Sequence, residues 1–169
     1  MNLREAVKEN HDRAEQTALS KLMISGTMRE HTYAAMLENM MAIYAELERD
    51  GTISKTEVLR YHRLRDDLNR IGGSKWPVAN SVRDYVSYLR ELPTRDRWAH
   101  VYVHYLGNMY GGQMLRKTLP GPVSHLEFDD LKGCVTYVRE NLVDVDPAEA
   151  NRAFEWTIRI YDELHQLFG

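Results

Sequence analysis

Apolar residues recur at intervals of three and four along nearly the whole chain, and no segment shows the sustained alternation of a surface strand. The first predicted helix begins at the capping pair Asn2 and Glu5 and is broken by the segment 25–27. Its inward stripe comprises Leu3, Val7, His11, Ala14, Ala18 and Leu22. This stripe is apolar except at one position, which is a histidine.

Later segments follow the same period and are separated by glycine, proline or capping residues. We expect helices from the Thr27–Glu30 capping box to Gly51, from Ser54 to Gly72, from Val82 to Leu92, from Arg95 to Lys117, from Asp130 to Leu142, and from Asp146 to Phe168. The sequence contains no internal repeat or linker. It therefore predicts a single all-α domain of about seven helices over residues 1–169.

The chain has 169 residues, 43% of them hydrophobic, and a net charge of −3. That charge argues against nucleic-acid binding, which requires a basic surface. No apolar run is long enough to span a bilayer and no secretion signal opens the sequence, so we expect a soluble, cytoplasmic protein without membrane attachment. Cys134 is the only cysteine, which excludes an internal disulfide and a zinc–thiolate cluster. We expect it to be a small buried residue.

The histidine on the first stripe, His11, has two interpretations. It is either a core histidine with a hydrogen-bond partner or an axial ligand to a metal or heme, since neutral imidazole is the commonest metal-binding side chain. Glu15 follows one helical turn later, in position to orient the ring. Arg4 and Lys8 precede His11 near the same stripe. They either form a solvated face or meet carboxylates of a ligand held by the histidine.

The segment 104–115 reads HYLGNMYGGQML and places three glycines inside a predicted helix. Each glycine in a helix interior costs roughly 1 kcal/mol relative to alanine. Gly107 and Gly111 are four residues apart and share one face, with Gly112 beside them. Such a face permits either close packing of a second helix or close approach of a flat cofactor to bare backbone.

Two stretches taken together resemble the heme oxygenase family. LREAVKENHDRAE (3–15) is similar to the family's proximal helix, and HVYVHYLGNMYGGQML (100–115) is similar to its distal helix. The stretch 40–48 resembles the family's helix after the proximal one, and the stretch 151–168 resembles its last helix. The order of these stretches along the chain is that of the family. The resemblance implies an all-α fold with heme between the proximal and distal helices.

The resemblance also implies residue roles, carried over position by position. His11 is the expected iron ligand and Glu15 its hydrogen-bond partner. The residues expected beside the heme and the oxygen site on the distal helix are Gly107, Asn108, Gly111 and Gly112. Those expected to approach the heme propionates are Arg4, Lys8, Tyr102 and, by a looser match, Arg139.

The implied reaction is oxidative opening of heme, which is both substrate and cofactor, by O2 and electrons to biliverdin, CO and ferrous iron. The sequence has no flavin or nicotinamide motif, so electrons come from an external donor, by the resemblance ferredoxin or a flavoprotein reductase. Arg4, Lys8 and Arg13 are candidates for a positive rim that binds this donor. A bilin reductase would be a downstream partner, and we expect a monomer.

Three positions depart from the family pattern. Asn108 stands where most members carry an aspartate that anchors distal water, and an asparagine cannot ionise. His104 replaces a frequent arginine and could add a titratable group to the distal network. Thr157 replaces a frequent asparagine of the last helix.

Two rival functions share parts of this pattern. A non-heme di-iron oxidase needs several carboxylates and Glu-x-x-His pairs on facing helices, and the nearest match is Asp162-x-x-His165 at the end of the last helix. A non-catalytic heme-binding protein is the second rival, and it is favoured by Asn108. A helical bundle without a ligand would leave the glycine-rich segment unexplained.

Overall fold

The computed structural model describes residues 2–169 and confirms the all-α class. Within these residues there are nine α-helices and two short 3-10 turns, Thr56–Val58 and Ser124–Leu126. The helices are α1 (Leu3–Glu15), α2 (Ala18–Ser25), α3 (Glu30–Glu48), α4 (Tyr61–Arg70), α5 (Asn80–Arg90), α6 (Thr94–Met109), α7 (Gly111–Leu115), α8 (Leu131–Glu140) and α9 (Pro147–Phe168).

Two predicted helices are each divided, which gives nine helices in the described residues where about seven were expected. The first was predicted to continue to Leu22, but α1 ends at Glu15 and α2 begins after Thr17. The Thr17 hydroxyl donates to the Ala14 carbonyl and accepts from the Ser20 amide, so it ends one helix and caps the next.

Two predicted helix starts were also wrong. The N-cap of α3 is Arg29, and the Thr27 hydroxyl bonds to Ser25 instead of capping the helix. The helix predicted from Ser54 is a 3-10 turn followed by α4, which begins only at Tyr61. By contrast, the Asp146 cap and the bounds of α9 agree with the sequence.

The glycine-rich segment is divided at Tyr110, whose φ of −103° and ψ of −83° lie outside the helical region. Gly107 is therefore inside α6, but Gly111 and Gly112 occupy the first turn of α7. The predicted cost of three glycines in one helix interior does not arise, since two of them lie at a helix start.

The long C-terminal helix α9 is the support on which α1 and α6 are placed. Both helices pack along it, and they meet each other mainly through a small apolar cluster. The buried members of this cluster are Val7, Ala14, Ala99, Val103, Ala150, Ala153 and Phe154. Four of these residues are alanines, whose small side chains allow α1 and α6 to pack closely against α9.

A buried arginine fixes the segment that follows α7. The Arg60 guanidinium donates to the carbonyls of His125 and Glu127 and to the loop 57–59. Asp67 on α4 accepts hydrogen bonds from Ser124 and His125 on the same segment. These bonds hold Leu126 in place beneath α7.

Cys134 is buried and free, as predicted. None of the helices in the described part of the chain is both long and apolar enough to cross a membrane.

Candidate functional site

The glycines of α6 and α7 differ in what surrounds them. A side chain built at Gly107 or Gly111 would meet no atom within 4 Å, so both positions border open space. A Cβ at Gly112 would lie 2.9 Å from Leu126 Cδ2. The open surface is thus formed by Gly107 and Gly111, whereas Gly112 packs closely against Leu126, and its expected place beside a cofactor stays a prediction.

His11 lies on α1. Its side chain is 51% exposed, and its ring meets Phe154 of α9 edge-on at 5.8 Å between centroids. Nε2 lies 3.4 Å from Glu15 Oε1, and Nδ1 lies 3.5 Å from Asp12 Oδ1. Glu15 is thus a close neighbour of the ring, its role as hydrogen-bond partner stays a prediction, and Asp12 is a second carboxylate that sequence reasoning missed. Either ring nitrogen can bind a metal while a carboxylate orients the other.

Cationic residues from two helices converge on Tyr102. Burial raises the pKa of Tyr102, and the positive charges of Arg139 and Arg4 partly oppose this rise. The structure therefore brings residues of α1, α6 and α8 near one another. Arg139 also donates to the Tyr110 hydroxyl at 2.8 Å.

Lys8 does not join this group as directly as predicted. Its ammonium donates to Asp12 at 2.8 Å along α1, and both side chains are exposed. The carboxylate raises the pKa of Lys8 through this hydrogen bond. Lys8 thus has a partner already.

Asn108 on α6 is held by Tyr44 on α3. The Asn108 amide donates to the Tyr44 hydroxyl at 2.8 Å, and this hydroxyl lies 3.2 Å from the carbonyl oxygen of His104. Because the hydroxyl proton goes to that carbonyl, the amide nitrogen must face Tyr44 and Asn108 Oδ1 remains an acceptor. Tyr44 lies in the predicted helix that ends at Gly51, and sequence reasoning gave it no role at the site.

His104 Nε2 lies 2.8 Å from the Tyr85 hydroxyl. Burial, and to a lesser degree nearby His100, lower the pKa of His104 to about 3, so the ring is neutral at neutral pH. Thr157 donates to the Ala153 carbonyl of its own helix at 2.8 Å. Of the three departures, Asn108 and His104 therefore bond to side chains of other helices, whereas Thr157 bonds only within α9.

The described residues form a helical protein in which α1 carries a half-exposed histidine, Gly107 and Gly111 present bare backbone, and Arg4 and Arg139 lie near Tyr102. Residues 2–169 form no group of three or more His, Cys, Asp or Glu side chains able to hold a metal ion, which is the kind of cluster a di-iron site needs.

Comparisons with known proteins agree with this class. The family model for heme oxygenase matches residues 1–157. The chain is 27% identical to heme oxygenase 1 of Synechocystis, covering 96% of this chain and 82% of that protein, and 24% identical to heme oxygenase of Guillardia theta, covering 99% and 86%.

Solved structures show the same similarity. The crystal structure of Synechocystis heme oxygenase-1 in complex with heme superposes with a TM-score of 0.85 at 25% identity, covering 98% of this chain and 91% of that one. The heme oxygenase structure from Leptospira interrogans gives a TM-score of 0.81 at 28% identity, covering 95% and 97%. The chain belongs to the heme oxygenase family.

Proposed function

We propose that this protein binds heme between α1 and α6 and cleaves it with O2 and externally supplied electrons to biliverdin, CO and ferrous iron. Family membership supports the reaction. The observation that carries the assignment is the open space at Gly107 and Gly111, because a flat ligand needs the volume that side chains would fill there.

His11 is the proposed axial ligand to the heme iron. The ring is half-exposed, so a nitrogen can reach a ligand without unfolding α1. Glu15 and Asp12 are both placed to take the remaining ring N–H, which fixes the tautomer and makes the ligating nitrogen more basic. When bound, the heme supplies the iron centre at which O2 is reduced and activated.

The distal wall has a steric task and a polar task. Gly107 and Gly111 let the backbone approach the ligand closely, which restricts where a small molecule can lie and excludes bulk water. Asn108 presents Oδ1 as an acceptor for a water molecule, while its amide is kept in place by Tyr44. Asn108 can hold a proton-carrying water but cannot itself release a proton.

Arg4, Tyr102 and Arg139 are proposed to bind the propionates. Arginine pairs with a carboxylate through charge-assisted hydrogen bonds. Arg139 gives its present bond to the Tyr110 hydroxyl, a neutral acceptor that a carboxylate can displace. Lys8 is a weaker candidate because Asp12 already neutralises it.

We further propose that the electrons come from a separate redox protein such as ferredoxin or a flavoprotein reductase. The exposed cations of α1, including Arg4 and Arg13, support a docking surface for an acidic donor. The proposed protein is cytoplasmic and monomeric, and its biliverdin is used by a bilin reductase.

The test is a hemin titration followed by turnover. Wild-type protein is titrated with hemin, and ferredoxin, its reductase and NADPH are then added in air with catalase present. We expect a sharp Soret band that decays into the broad red absorption of biliverdin with release of CO. His11→Ala should weaken the Soret band, and added imidazole should restore it.

His62→Ala is the matched control, because His62 is an exposed histidine on α4 far along the chain from α1 and α6. Its spectrum should equal that of the wild type. A Soret band that forms and persists would support the non-catalytic alternative. A His11→Ala spectrum equal to that of the wild type would refute the assigned ligand.

A further inference from the structure

A chain of hydrogen bonds runs through the interior from α9 to α6. Glu149 Oε1 lies 2.8 Å from His100 Nε2, and His100 Nδ1 lies 2.5 Å from the Tyr85 hydroxyl. The same hydroxyl lies 2.8 Å from His104 Nε2. The side chains of Tyr85 and His100 are fully buried, so water cannot substitute for these contacts.

The carboxylate sets the direction of the first bond. Glu149 also accepts from Tyr88 at 2.5 Å and from Arg152 at 2.6 Å. Burial raises the pKa of this carboxyl, but the bonds from His100, Tyr88 and Arg152 together outweigh it and lower the pKa to about 2. An ionised carboxylate can only accept, so His100 must donate from Nε2. Burial lowers the pKa of His100, which leaves Nδ1 as an unprotonated acceptor.

The second and third bonds follow from the first. Tyr85 has a single hydroxyl proton, which it donates to His100 Nδ1. Its oxygen must then accept from His104 Nε2–H, because a bond between two acceptors is not formed. A neutral His104 carries only this one proton, so its Nδ1 has a free lone pair.

This lone pair is beside the distal surface. His104 precedes Gly107 by three residues and Asn108 by four on α6, which places all three on one face. Among side-chain nitrogen and oxygen atoms sealed from solvent in residues 2–169, only Arg97 Nε lacks a hydrogen bond. His104 Nδ1 also has no hydrogen-bond partner in the described chain, yet it is not among the sealed atoms. It is therefore accessible to a water molecule.

We propose that Glu149 is a positioning residue that acts through His100 and Tyr85 to hold His104 in its Nε2–H tautomer, presenting Nδ1 as a hydrogen-bond acceptor at the distal surface. Together with Asn108 Oδ1 one turn away, it binds the water that carries protons to the reacting ligand. The role of this water rests on the proposed function, but the tautomer is a property of the heme-free protein.

Replacing the carboxylate by an amide should reverse the chain. In Glu149→Gln the amide oxygen faces Arg152, which can only donate, so the NH2 group takes the place of Oε1. There it faces both His100 and the Tyr88 hydroxyl, which turns to accept. His100 then accepts at Nε2 and donates from Nδ1 to Tyr85. Tyr85 in turn donates to His104 Nε2, which moves the His104 proton to Nδ1.

The test is long-range 1H–15N NMR of the imidazole rings in heme-free, 15N-labelled protein, with His104→Gln used for assignment. The wild type should show His104 and His100 as Nε2–H tautomers. A free imidazole already favours the Nε2–H form, so the wild-type spectrum alone does not test the proposal. The spectrum of the variant decides. Glu149→Gln should convert His104 largely to the Nδ1–H tautomer or to a mixture.

Tyr85→Phe and Tyr88→Phe form a matched pair for the case in which Glu149→Gln folds poorly. Both remove one hydroxyl from α5, and both rings pack against Trp156, but only Tyr85 links the two histidines. Tyr85→Phe should change the His104 ring shifts, and Tyr88→Phe should leave them as in the wild type.

Unchanged His104 shifts in both Glu149→Gln and Tyr85→Phe would overturn the proposal. Hemin binding is measured separately on the same samples. A protein with the predicted tautomers that gives no Soret band would disprove the heme function and leave the chain of hydrogen bonds intact. Equal rates of heme turnover in the wild type and in Glu149→Gln would show that the His104 tautomer has no role in catalysis.

Discussion

Asn108 and Tyr44 form a hydrogen bond of 2.8 Å that joins α6 to α3. The bond fixes which end of the amide faces Tyr44, because the Tyr44 hydroxyl is already directed at the His104 carbonyl. Asn108 Oδ1 therefore remains an acceptor that cannot ionise. This relationship determines what a change of residue 108 would do.

In Asn108→Asp the carboxylate can only accept, so the Tyr44 hydroxyl must turn its proton from the His104 carbonyl to residue 108. The variant can also hold water by a charged acceptor. We expect single-turnover biliverdin formation to accelerate about tenfold, below the roughly 10²- to 10⁴-fold effect of a fully effective acid–base group. Asn108→Leu should slow it. Equal rates in all three proteins would show that residue 108 does not organise proton delivery.

Gly107→Ala and Gly112→Ala should act in opposite directions on the heme-free protein. A methyl group at Gly107 meets open space, so the better helix propensity of alanine stabilises α6 by up to about 1 kcal/mol. At Gly112 the methyl group would press on Leu126, and overpacking typically costs about 1–3 kcal/mol. Urea unfolding of the heme-free variants measures both changes.

The more stable glycine variant should be the poorer enzyme. The methyl group of Gly107→Ala occupies the volume assigned to the ligand, so hemin should dissociate faster and turnover should fall. Gly107→Ala with wild-type hemin affinity and turnover would argue that the open space is not the ligand site.

Arg139→Ala should weaken binding of hemin but not of its dimethyl ester. A charge-assisted hydrogen bond contributes about 1.5–3 kcal/mol, so the hemin dissociation rate should rise about tenfold or more. The ester has no carboxylates and provides the control, and Lys8→Ala should have the smaller effect because Asp12 holds Lys8. Equal losses with hemin and ester would indicate a packing role for Arg139.

The stability of the heme-free protein should fall below pH 6.5. The folded pKa of His104 is about 3, below its ordinary value of 6.5, so between these values the unfolded chain binds more protons. One such group reduces stability by up to ~1.4 kcal/mol for each pH unit. The measurement is urea unfolding between pH 5 and 7. Glu149, with a pKa of about 2 against its ordinary 4.5, affects the pH dependence of stability only below this range.

His104→Gln should make this pH dependence shallower, since glutamine can still donate to Tyr85 but does not titrate. His62→Gln, at an exposed site, should retain the wild-type slope. If His104→Gln also retained it, the ring would be protonated in the folded state at these pH values.

Local sequence determined the helical class and several helix ends. The period of three and four requires helices, and Asp146 with Pro147 sets the start of α9 because a capping carboxylate and a proline without N–H both suit a helix N-terminus. The pairing of His11 with Glu15 also follows from spacing alone, since residues four apart on a helix are neighbours.

Only the tertiary structure decided what surrounds each candidate site residue. Gly107 and Gly112 have the same residue type in one motif, yet one borders open space and the other contacts Leu126, whose position depends on Arg60 and Asp67 far away in the chain. The contacts of His104 with Tyr85, and of Glu149 with His100, join residues on three helices. No local pattern encodes such contacts, because they depend on how α5, α6 and α9 pack.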